Sequence, residues 1–394
     1  MNGKPLVYLD SAATAQKPTV VLKALSDYYL KQNANIHRGV YRLSQESTVA
    51  FEKARVVVQQ FIGARYAHEI VFTAGTTASI NLVASSFGKK FVNKGDELLV
   101  SEMEHHSNIL PWQVLCQERG AVLKVIPLKD KGELDKGELD LEAFKKLLGP
   151  KTKLLALTQV SNTLGTVNPV TEMIALAHAA GAAVLIDGAQ AVPHMKVNVV
   201  AMDCDFYCFS GHKLYGPTGI GVLYGKEKWL KELPPYQVGG GTIKTVRFSG
   251  TEYAELPLKF EAGTPHIEGG IGLGVAIDYL NSVGLDLAGA YEQELLRYAT
   301  EKLSAIGGLR IIGAAAYKAA VISFVVDGLH ALDIGTILDQ QGIAVRTGHH
   351  CTQPLMERFG ISGTVRASFA FYNTFEEVDK LVDGVIKALK MLRS

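Results

Sequence analysis

Short apolar runs alternate with helical patterns between residues 69 and 225. Runs rich in β-branched residues predict strands, and apolar residues that recur every three or four positions predict helices. Such alternation is typical of an α/β fold in which helices cover both faces of a mostly parallel sheet. The predicted strands are 69–73, 97–101, 122–128, 153–160, 183–186 and 205–209, and the predicted helices are 76–91, 109–119 and 171–180.

The rest of the chain is predicted to form a smaller unit. The glycine-rich, polar segment 239–255 predicts a loop that leaves the sheet. A long helix over 268–283 then leads to a C-terminal α+β unit, which ends in an amphipathic helix over 375–392. The segment KGELD occurs twice in succession, over 131–135 and 136–140, and its charges and glycines favour an exposed loop insertion without a function.

Composition excludes several classes of partner. Of 394 residues, 40 are Lys or Arg and 39 are Asp or Glu, so the net charge is +1. A nucleic-acid or anionic-membrane binder would carry a clear basic excess, so we expect neither partner. The hydrophobic fraction of 47% is ordinary for a folded globular protein. The composition therefore favours an enzyme that acts on small molecules.

The N-terminal residues carry no basic start followed by an apolar stretch, so we expect no secretory signal and a cytoplasmic location. The longest weakly polar run, 174–186, is too short to span a bilayer.

The four cysteines are too few and too scattered for a disulfide framework. Cys116, Cys204 and Cys208 lie within apolar patterns and are predicted to be small core residues. Cys351 lies beside two histidines and near Arg346, an environment that favours a thiolate.

Polar residues follow three of the predicted strands. Asp187 ends an apolar strand, Lys213 lies in a glycine-rich turn, and Thr76 and Thr77 open a helix after a short turn. Taken singly, Asp187 could be a helix N-cap and Lys213 an ordinary surface lysine. Together they supply an amine for covalent attachment, a carboxylate for a pyridine nitrogen and a helix terminus for a phosphate, which pyridoxal 5'-phosphate requires.

His105 and His106 follow another strand, where an imidazole could stack on a cofactor ring. A zinc site formed by His105, His106, His349, His350 and Cys351 lacks any usual ligand spacing, so no metal site is predicted. Two glycine-rich strings, at 216–221 and 269–274, lack the spacing of a dinucleotide-binding loop and favour tight turns or helix packing.

Several longer strings resemble one enzyme family. The chain is similar to the class V aminotransferases among the fold-type I pyridoxal-phosphate enzymes, and within them to the group II cysteine desulfurases of the SUF iron–sulfur assembly system (the SufS type). The strings that carry the resemblance are YLDSAATAQKP (8–18), NIHRG (35–39), MEHHSN (103–108), VLIDGAQA (184–191), FSGHKLYGPTG (209–219), FEAGTP (260–265), RTGHHC (346–351) and RAS (366–368).

The resemblance implies a fold-type I transferase with a mostly parallel seven-stranded sheet flanked by helices and a smaller α+β C-terminal domain. The large cofactor domain would span 15–265 and the small domain 1–14 and 280–394, with 266–279 in the linking helix. It implies Lys213, Cys351 and His105 as catalytic residues. The implied cofactor contacts are Thr76, Thr77, His105, Asp187, Gln190, Ser210, His212, Lys213 and, from the partner subunit, Thr264. The implied substrate contacts are Asn162, Arg366, His37 and Arg346.

The resemblance also implies a reaction and its partners. L-cysteine would be converted to L-alanine, and its sulfur would remain on Cys351 as a persulfide until an acceptor protein takes it. Because the acceptor must reach Cys351, we expect a loop there. The implied partners are a second copy of the chain, a SufE-like or SufU-like sulfur acceptor and the SUF scaffold complex.

Other functions remain open at this point. A selenocysteine lyase, a cysteine sulfinate desulfinase or an aminotransferase would share the fold, although an aminotransferase would not need Cys351. A non-catalytic scaffold would have no need to keep Lys213, Asp187, His105 and Cys351 together.

Overall fold

The computed structural model describes residues 1–129 and 136–393. The strands in these residues are β1 (Val7–Tyr8), β2 (Ile70–Thr73), β3 (Glu97–Ser101), β4 (Val122–Ile126), β5 (Thr152–Thr158), β6 (Ala183–Asp187), β7 (Phe206–Ser210), β8 (Gly221–Gly225), β9 (Ile243–Arg247), β10 (Gly250–Tyr253), β11 (Leu309–Ile312), β12 (Val321–Val326), β13 (Ile343–Ala344), β14 (Arg346–Gly348) and β15 (Thr364–Ser368). The α-helices are α1 (Thr19–Asp27), α2 (Arg42–Phe61), α3 (Thr76–Phe91), α4 (Leu110–Arg119), α5 (Leu141–Leu147), α6 (Val170–Ala179), α7 (Val199–Met202), α8 (Glu227–Glu232), α9 (Ile267–Val283), α10 (Leu285–Ser304), α11 (Ala331–Gln340), α12 (Gln353–Phe359) and α13 (Phe375–Arg393).

A seven-stranded sheet forms the centre of the larger unit, in the order β2-β8-β7-β6-β5-β3-β4. β8 is antiparallel to both of its neighbours, and the other pairs are parallel. Every residue of β6, β7 and β8 is buried, because helices cover both faces of the sheet. The predicted α/β fold with a mostly parallel seven-stranded sheet is therefore confirmed.

The C-terminal unit contains a four-stranded antiparallel sheet in the order β11-β12-β15-β14. β1 pairs with β13, and Asp10 forms a parallel bridge with Ser368 at the end of β15, so the N-terminal segment packs with the C-terminal unit. These pairings are compatible with the predicted domain division, which stays a prediction.

Most of the predicted element boundaries differ from the observed ones by one or two residues, but β8 was not predicted and the segment 239–255 was wrongly predicted. It contains the antiparallel hairpin β9–β10 rather than an irregular loop. β-Branched residues of β9 pair with β10 around a turn at Phe248 and Ser249, and the hairpin has no buried face whose pattern would have indicated strands.

The duplicated KGELD segment is described only in its second copy, because the first lies outside the described residues. The expectation of an exposed loop is wrong for this copy: Leu139 is buried and forms a bridge with Leu128. Asp140 caps α5 by accepting hydrogen bonds from the N–H groups of Glu142 and Ala143, both at 2.9 Å.

The cysteine prediction is confirmed, since Cys116, Cys204 and Cys208 are buried and Cys351 is exposed. Within the described ranges, no single helix is long and apolar enough to span a membrane. Among the described helices, only α9 and α10 taken together meet that test, and they are bent by 74° at the break between them.

Candidate active site

A cavity of about 290 Å³ lies at the carboxyl ends of the central strands. Ligands of open α/β sheets bind at this edge, because polar loops converge there. Twelve of the fourteen sequence-predicted site residues line the cavity: Thr76, Thr77, His105, Asn162, Asp187, Gln190, Ser210, His212, Lys213, Arg346, Cys351 and Arg366.

Lys213 and Asp187 form the ionisable centre of the cavity. Burial lowers the pKa of Lys213, Asp187 opposes this shift, and Arg366 adds to it. Burial raises the pKa of Asp187, although Lys213 and the N–H of Ala189, which donates to Oδ1 at 2.9 Å, act in the opposite direction. A protonated pyridine nitrogen would give the buried Asp187 carboxylate a cationic partner, so this pair fits the predicted cofactor.

The turn that carries Lys213 is held by the N-terminal segment. The carbonyl oxygen of His212 accepts hydrogen bonds from Lys17 Nζ at 2.8 Å, Ala15 N at 3.1 Å and Thr14 Oγ1 at 3.2 Å. Burial lowers the pKa of Lys17 to about 8. Sequence reasoning did not single out Lys17, although it lies inside a quoted string.

The start of α3 provides a cradle for a phosphate group. Gly75 adopts φ +148°, and an added Cβ would come within 3.3 Å of Ser210 Oγ. Thr76 N donates to Ser210 Oγ at 2.9 Å, and the hydroxyls of Thr77 and Ser107 lie 2.7 Å apart. The first N–H groups of a helix have no partner within the helix, so hydroxyls and free N–H groups converge here and fit a phosphate.

His212 also lines this part of the cavity, and burial together with the nearby Lys213 and Lys17 lowers its pKa to about 4. Its neutral ring can therefore donate one hydrogen bond to a phosphate without adding charge. Gln190 is buried and donates to the carbonyl of Ala12 at 2.7 Å, which fixes its amide at the cavity wall.

His105 lies on the loop between β3 and α4, and the preceding residue, Glu104, anchors this loop. Burial lowers the pKa of His105 to about 4, with Lys213, His106 and Arg366 adding to the shift. His105 Nδ1 accepts from Ser107 N at 3.1 Å, so the neutral ring carries its proton on Nε2.

The buried Glu104 accepts hydrogen bonds from Ser101 Oγ and Asn108 Nδ2, each at 2.6 Å, and from Thr158 N at 3.0 Å. Burial nevertheless raises its pKa to about 8. Sequence reasoning gave no role to Glu104, because its partners come from both sides of the loop and from β5.

Cys351 lies in a turn, as predicted, and the turn is tied to the His105 loop. His350 and Cys351 both have left-handed backbone conformations, with φ of 51° and 57°. His106 N donates to the carbonyl of Cys351 at 2.8 Å, and His106 Nε2 accepts from Gln353 N at 3.1 Å. These two bonds hold the thiol at the mouth of the cavity while leaving it exposed. No group of three His, Cys, Asp or Glu side chains in the described ranges could hold a metal ion.

Two arginines lie on neighbouring strands at the far wall of the cavity. Arg366 is buried and donates from one terminal nitrogen to the carbonyl of Asn162 at 3.0 Å and from the other to Asp10 Oδ1 at 2.9 Å. Its Nε has no hydrogen-bond partner among the described residues. Burial lowers the pKa of Arg366, an effect that Asp10 opposes. Each terminal nitrogen keeps a second N–H, so a guanidinium group that lines the cavity fits a substrate carboxylate.

Asn162, which was predicted to contact the substrate, is buried between these elements. Its side-chain amide donates to the carbonyl of His350 at 2.8 Å, and its own carbonyl accepts from Arg366. It therefore links the arginine wall to the turn of Cys351.

Two predicted site residues lie outside the cavity of their own chain. His37 is exposed, and its Nε2 lies 3.0 Å from Glu52 Oε1 on α2. Thr264 is exposed in the loop before α9. A substrate contact by His37 within one chain is thus not supported, because its ring is paired with Glu52.

The chain is similar to proteins of a known family over nearly its whole length. The family model described as aminotransferase class-V matches residues 7–381. A cysteine desulfurase of Dickeya dadantii (strain 3937) is 52% identical over 393 residues, which cover 100% of this chain and 94% of that protein. The apo structure of a cysteine desulfurase from Thermococcus onnurineus NA1 has a TM-score of 0.93 and 43% identity, with coverage of 98% of this chain and 95% of that one.

The structure of the Escherichia coli cysteine desulfurase CsdA in its S-sulfonic acid form has a TM-score of 0.91 and 40% identity, covering 98% of this chain and 95% of that one. The match to the family model covers nearly the whole chain and includes every residue of the cavity. The chain therefore belongs to the aminotransferase class-V family.

Proposed function

We propose that the protein is a pyridoxal-phosphate-dependent cysteine desulfurase, which converts L-cysteine to L-alanine and retains the sulfur on Cys351. The observation that carries this proposal is the meeting of Lys213, Asp187 and the exposed Cys351 in one cavity. A class V aminotransferase that only exchanged amino groups would have no use for a thiol there. The similarity to cysteine desulfurases over the full chain supports the same activity.

Pyridoxal phosphate, when bound, withdraws electrons from the substrate Cα and so makes a Cα proton and a β-substituent easier to remove. Lys213 would attach the cofactor, Asp187 would pair with its ring nitrogen, and Gln190 would contact its phenolic oxygen. The phosphate would be held by Thr76, Thr77, Ser210 and His212, and by Thr264 of a second copy. His105 would support the ring.

Lys213 also accepts the Cα proton of the substrate. Burial lowers the pKa of its amine, so the amine shifts toward the neutral form that can accept a proton. His105 is neutral over the physiological range, because burial holds its pKa at about 4, and it can donate the proton on Nε2. Arg366 and Asn162 bind the substrate carboxylate, and Arg346 lies beside them.

Cys351 takes the sulfur. Its thiolate attacks the sulfur of L-cysteine, a sulfur–sulfur bond forms, and the bond between the substrate sulfur and Cβ breaks. The electron pair of that bond stays with the carbon fragment, and protonation of Cβ then completes the methyl group of L-alanine. The sum is L-cysteine plus a thiol giving L-alanine plus a persulfide, which needs no external oxidant or reductant.

We assign the protein to the SufS type on the strings quoted above, and we infer that it acts as a homodimer in the cytoplasm. The exposed positions of Thr264 and His37 support a dimer, since a second copy could bring both to the cavity. Exposed apolar side chains on the β9–β10 hairpin, including Phe248, support an interface there. The sulfur acceptor would be a SufE-like or SufU-like protein, and the exposure of Cys351 suits transfer to either.

The activity is tested by incubating the holoenzyme with L-cysteine and a reductant, and by measuring L-alanine and sulfide. We expect equal amounts of both products, and we expect Lys213→Ala to lose the cofactor absorbance and the activity. Lys196→Ala is the matched control, because Lys196 is exposed and pairs with Asp286 outside the cavity. A colourless wild-type protein from cofactor-replete cells, or one that releases no alanine from cysteine, would overturn the proposal.

A further inference from the structure

We propose that Asp10 is a positioning residue that limits the positive charge of the substrate-binding arginines, and that it thereby disfavours amino acids with a second anionic group, such as L-cysteine sulfinate, relative to L-cysteine. This inference rests on the proposed desulfurase function. It concerns a residue of the YLDSAATAQKP string to which neither the resemblance nor the mechanism gives a role.

Asp10 contacts both arginines at once. Its Oδ1 accepts from Arg366 at 2.9 Å, and its Oδ2 accepts from Arg346 at 2.9 Å. Nε of Arg346 also lies 3.1 and 3.2 Å from the two carboxylate oxygens, so this pair is bidentate. One carboxylate therefore holds two guanidinium groups in a fixed arrangement.

The backbone of Asp10 is fixed as firmly as its side chain. Asp10 bridges to Ser368, two residues beyond Arg366 on β15, and the N–H of Ser368 donates to the carbonyl of Leu9 at 2.8 Å. Only 15% of the Asp10 side chain is exposed, and Asp10 is absent from the described cavity lining. It thus acts through the arginines and leaves the cavity side of both groups to the substrate.

The three groups together carry a net charge of +1, from two guanidinium groups and one carboxylate. A substrate with a single carboxylate neutralises this charge, whereas one with two anionic groups overcompensates it. Arg366 is buried and lines the cavity, and each of its terminal nitrogens keeps a second N–H beside the one that it donates to Asn162 or Asp10. Arg346 is about half exposed and lines the same cavity as Cys351, and the two groups are close enough to interact electrostatically.

An anionic group on the substrate sulfur would therefore lie near Arg346. The guanidinium of Arg346 already donates hydrogen bonds to both carboxylate oxygens of Asp10. Removal of the Asp10 charge would leave a net charge of +2 and free Arg346 for a second anion. Selectivity would then shift toward the doubly anionic substrate, because a site with a charge of +2 attracts two anionic groups more strongly than one.

The test uses the holoenzyme and compares kcat/KM for L-cysteine and L-cysteine sulfinate, each measured as alanine formed. Asp10→Asn keeps the shape and one acceptor oxygen, and we expect the ratio of sulfinate to cysteine to rise about tenfold. Asp379→Asn is the matched control, because it removes a carboxylate that pairs with Lys302 on the C-terminal unit, and its ratio should equal that of the wild type. If Asp10 had a merely structural role, Asp10→Asn would lower kcat/KM for L-cysteine and for L-cysteine sulfinate together, and their ratio would stay unchanged.

Two further variants keep the test decisive if Asp10→Asn folds poorly. Arg346→Gln should lower the sulfinate preference, and the double variant Asp10→Asn/Arg346→Gln, which returns the net charge to +1, should restore the wild-type ratio. Unchanged ratios in Asp10→Asn and Arg346→Gln would overturn the proposal, as would a double variant that resembles Asp10→Asn.

Ligand affinity separates this inference from the proposed function. Calorimetry of the holoenzyme with L-aspartate, which has two carboxylates, and with L-alanine, which has one, requires no desulfuration. We expect Asp10→Asn to raise the affinity for L-aspartate about tenfold relative to that for L-alanine. A failure of the desulfurase function would abolish alanine formation without changing this ratio, whereas the same ratio of affinities in wild type and Asp10→Asn would overturn the role of Asp10.

Discussion

Burial is the main influence on the ionisable side chains around the cavity. It lowers the pKa of Lys213 and brings the pKa values of His105 and His212 to about 4. It also raises the pKa of Asp187 and brings that of Glu104 to about 8. These groups shift toward their neutral forms, so the fixed charge that meets the substrate is that of the two arginines, which Asp10 partly offsets.

Glu104 makes the stability of the protein depend on pH. Its folded pKa of about 8 lies above the ordinary value, so the folded state holds a proton that the unfolded state releases above about pH 4.5. Its contribution to stability is complete below that pH and is lost as the pH rises through 8. In the wild type, this group should lower the unfolding free energy by about 1.4 kcal/mol per pH unit between pH 5 and 8. We expect Glu104→Gln to abolish this dependence.

Urea unfolding at several pH values measures this effect. Glu104→Gln should be less stable at pH 5, because Asn108 Nδ2 loses its acceptor, and its dependence on pH should be flatter than that of the wild type. Glu142→Gln, which changes an exposed carboxylate on α5, should keep the wild-type dependence. Parallel pH curves for wild type and Glu104→Gln would show that Glu104 is ionised in the folded protein.

The sequence was informative about residues that follow strands and uninformative about their distant partners. Asp187 and Lys213 were found because a polar side chain after an apolar strand points to the carboxyl edge of a sheet. Asp10 lies 356 residues from Arg366 along the chain, and Lys17 lies 195 residues from His212. No local pattern could have brought these partners together.

At the scale of elements, the junction of β2 and α3 determines how a phosphate can bind. Gly75 holds a conformation that residues with a Cβ rarely adopt, and it places the start of α3 against Ser210. Strain of this kind costs on the order of 1–3 kcal/mol when another residue is forced into it. The prediction that a helix begins at residue 76 was right because a short polar turn precedes the apolar pattern.

Gly75→Ala should therefore weaken cofactor binding by about tenfold or more, since the strained turn displaces the first N–H groups of α3. Reconstitution of the apoprotein with increasing pyridoxal phosphate, followed by absorbance, measures the dissociation constant. Gly149→Ala is the matched control, because a Cβ there meets nothing within 4 Å. Equal dissociation constants for Gly75→Ala and the control would contradict the role of this turn.

The hairpin β9–β10 shows where element prediction failed. Six of the seven strands of the central sheet were predicted from their apolar runs, whereas the residues of β10 are all exposed and those of β9 nearly so. Its pairing depends on the turn at Phe248 and Ser249 rather than on burial, so the glycines and polar residues around it suggested a loop.

At the scale of the whole molecule, one chain does not bring Thr264 or His37 to its own cavity. If Thr264 acts on the cofactor of the partner subunit, a dimer formed from two different inactive variants should contain an intact site. Lys213→Ala and Thr264→Asp should each be inactive, because the first lacks the attachment point and the second places a carboxylate near a phosphate.

Refolding a 1:1 mixture of these two variants should restore about a quarter of wild-type activity, since half of the dimers would contain one intact site. The mixture is assayed for alanine formation beside each variant alone. If Thr264 acted within its own chain, no combination would rebuild a site, and a mixture as inactive as its components would contradict the dimer arrangement.

The central claim is that Cys351 receives the sulfur of L-cysteine. It is tested most directly by treating the holoenzyme with one equivalent of L-cysteine, without reductant, and by analysing the peptides of the protein by mass spectrometry. We expect one additional sulfur atom on the peptide that contains Cys351 and an equal amount of L-alanine. We also expect that Cys351→Ala, with its cofactor absorbance retained, forms neither. Sulfur found on Cys116, Cys204 or Cys208 instead, or wild-type alanine formation by Cys351→Ala, would contradict it.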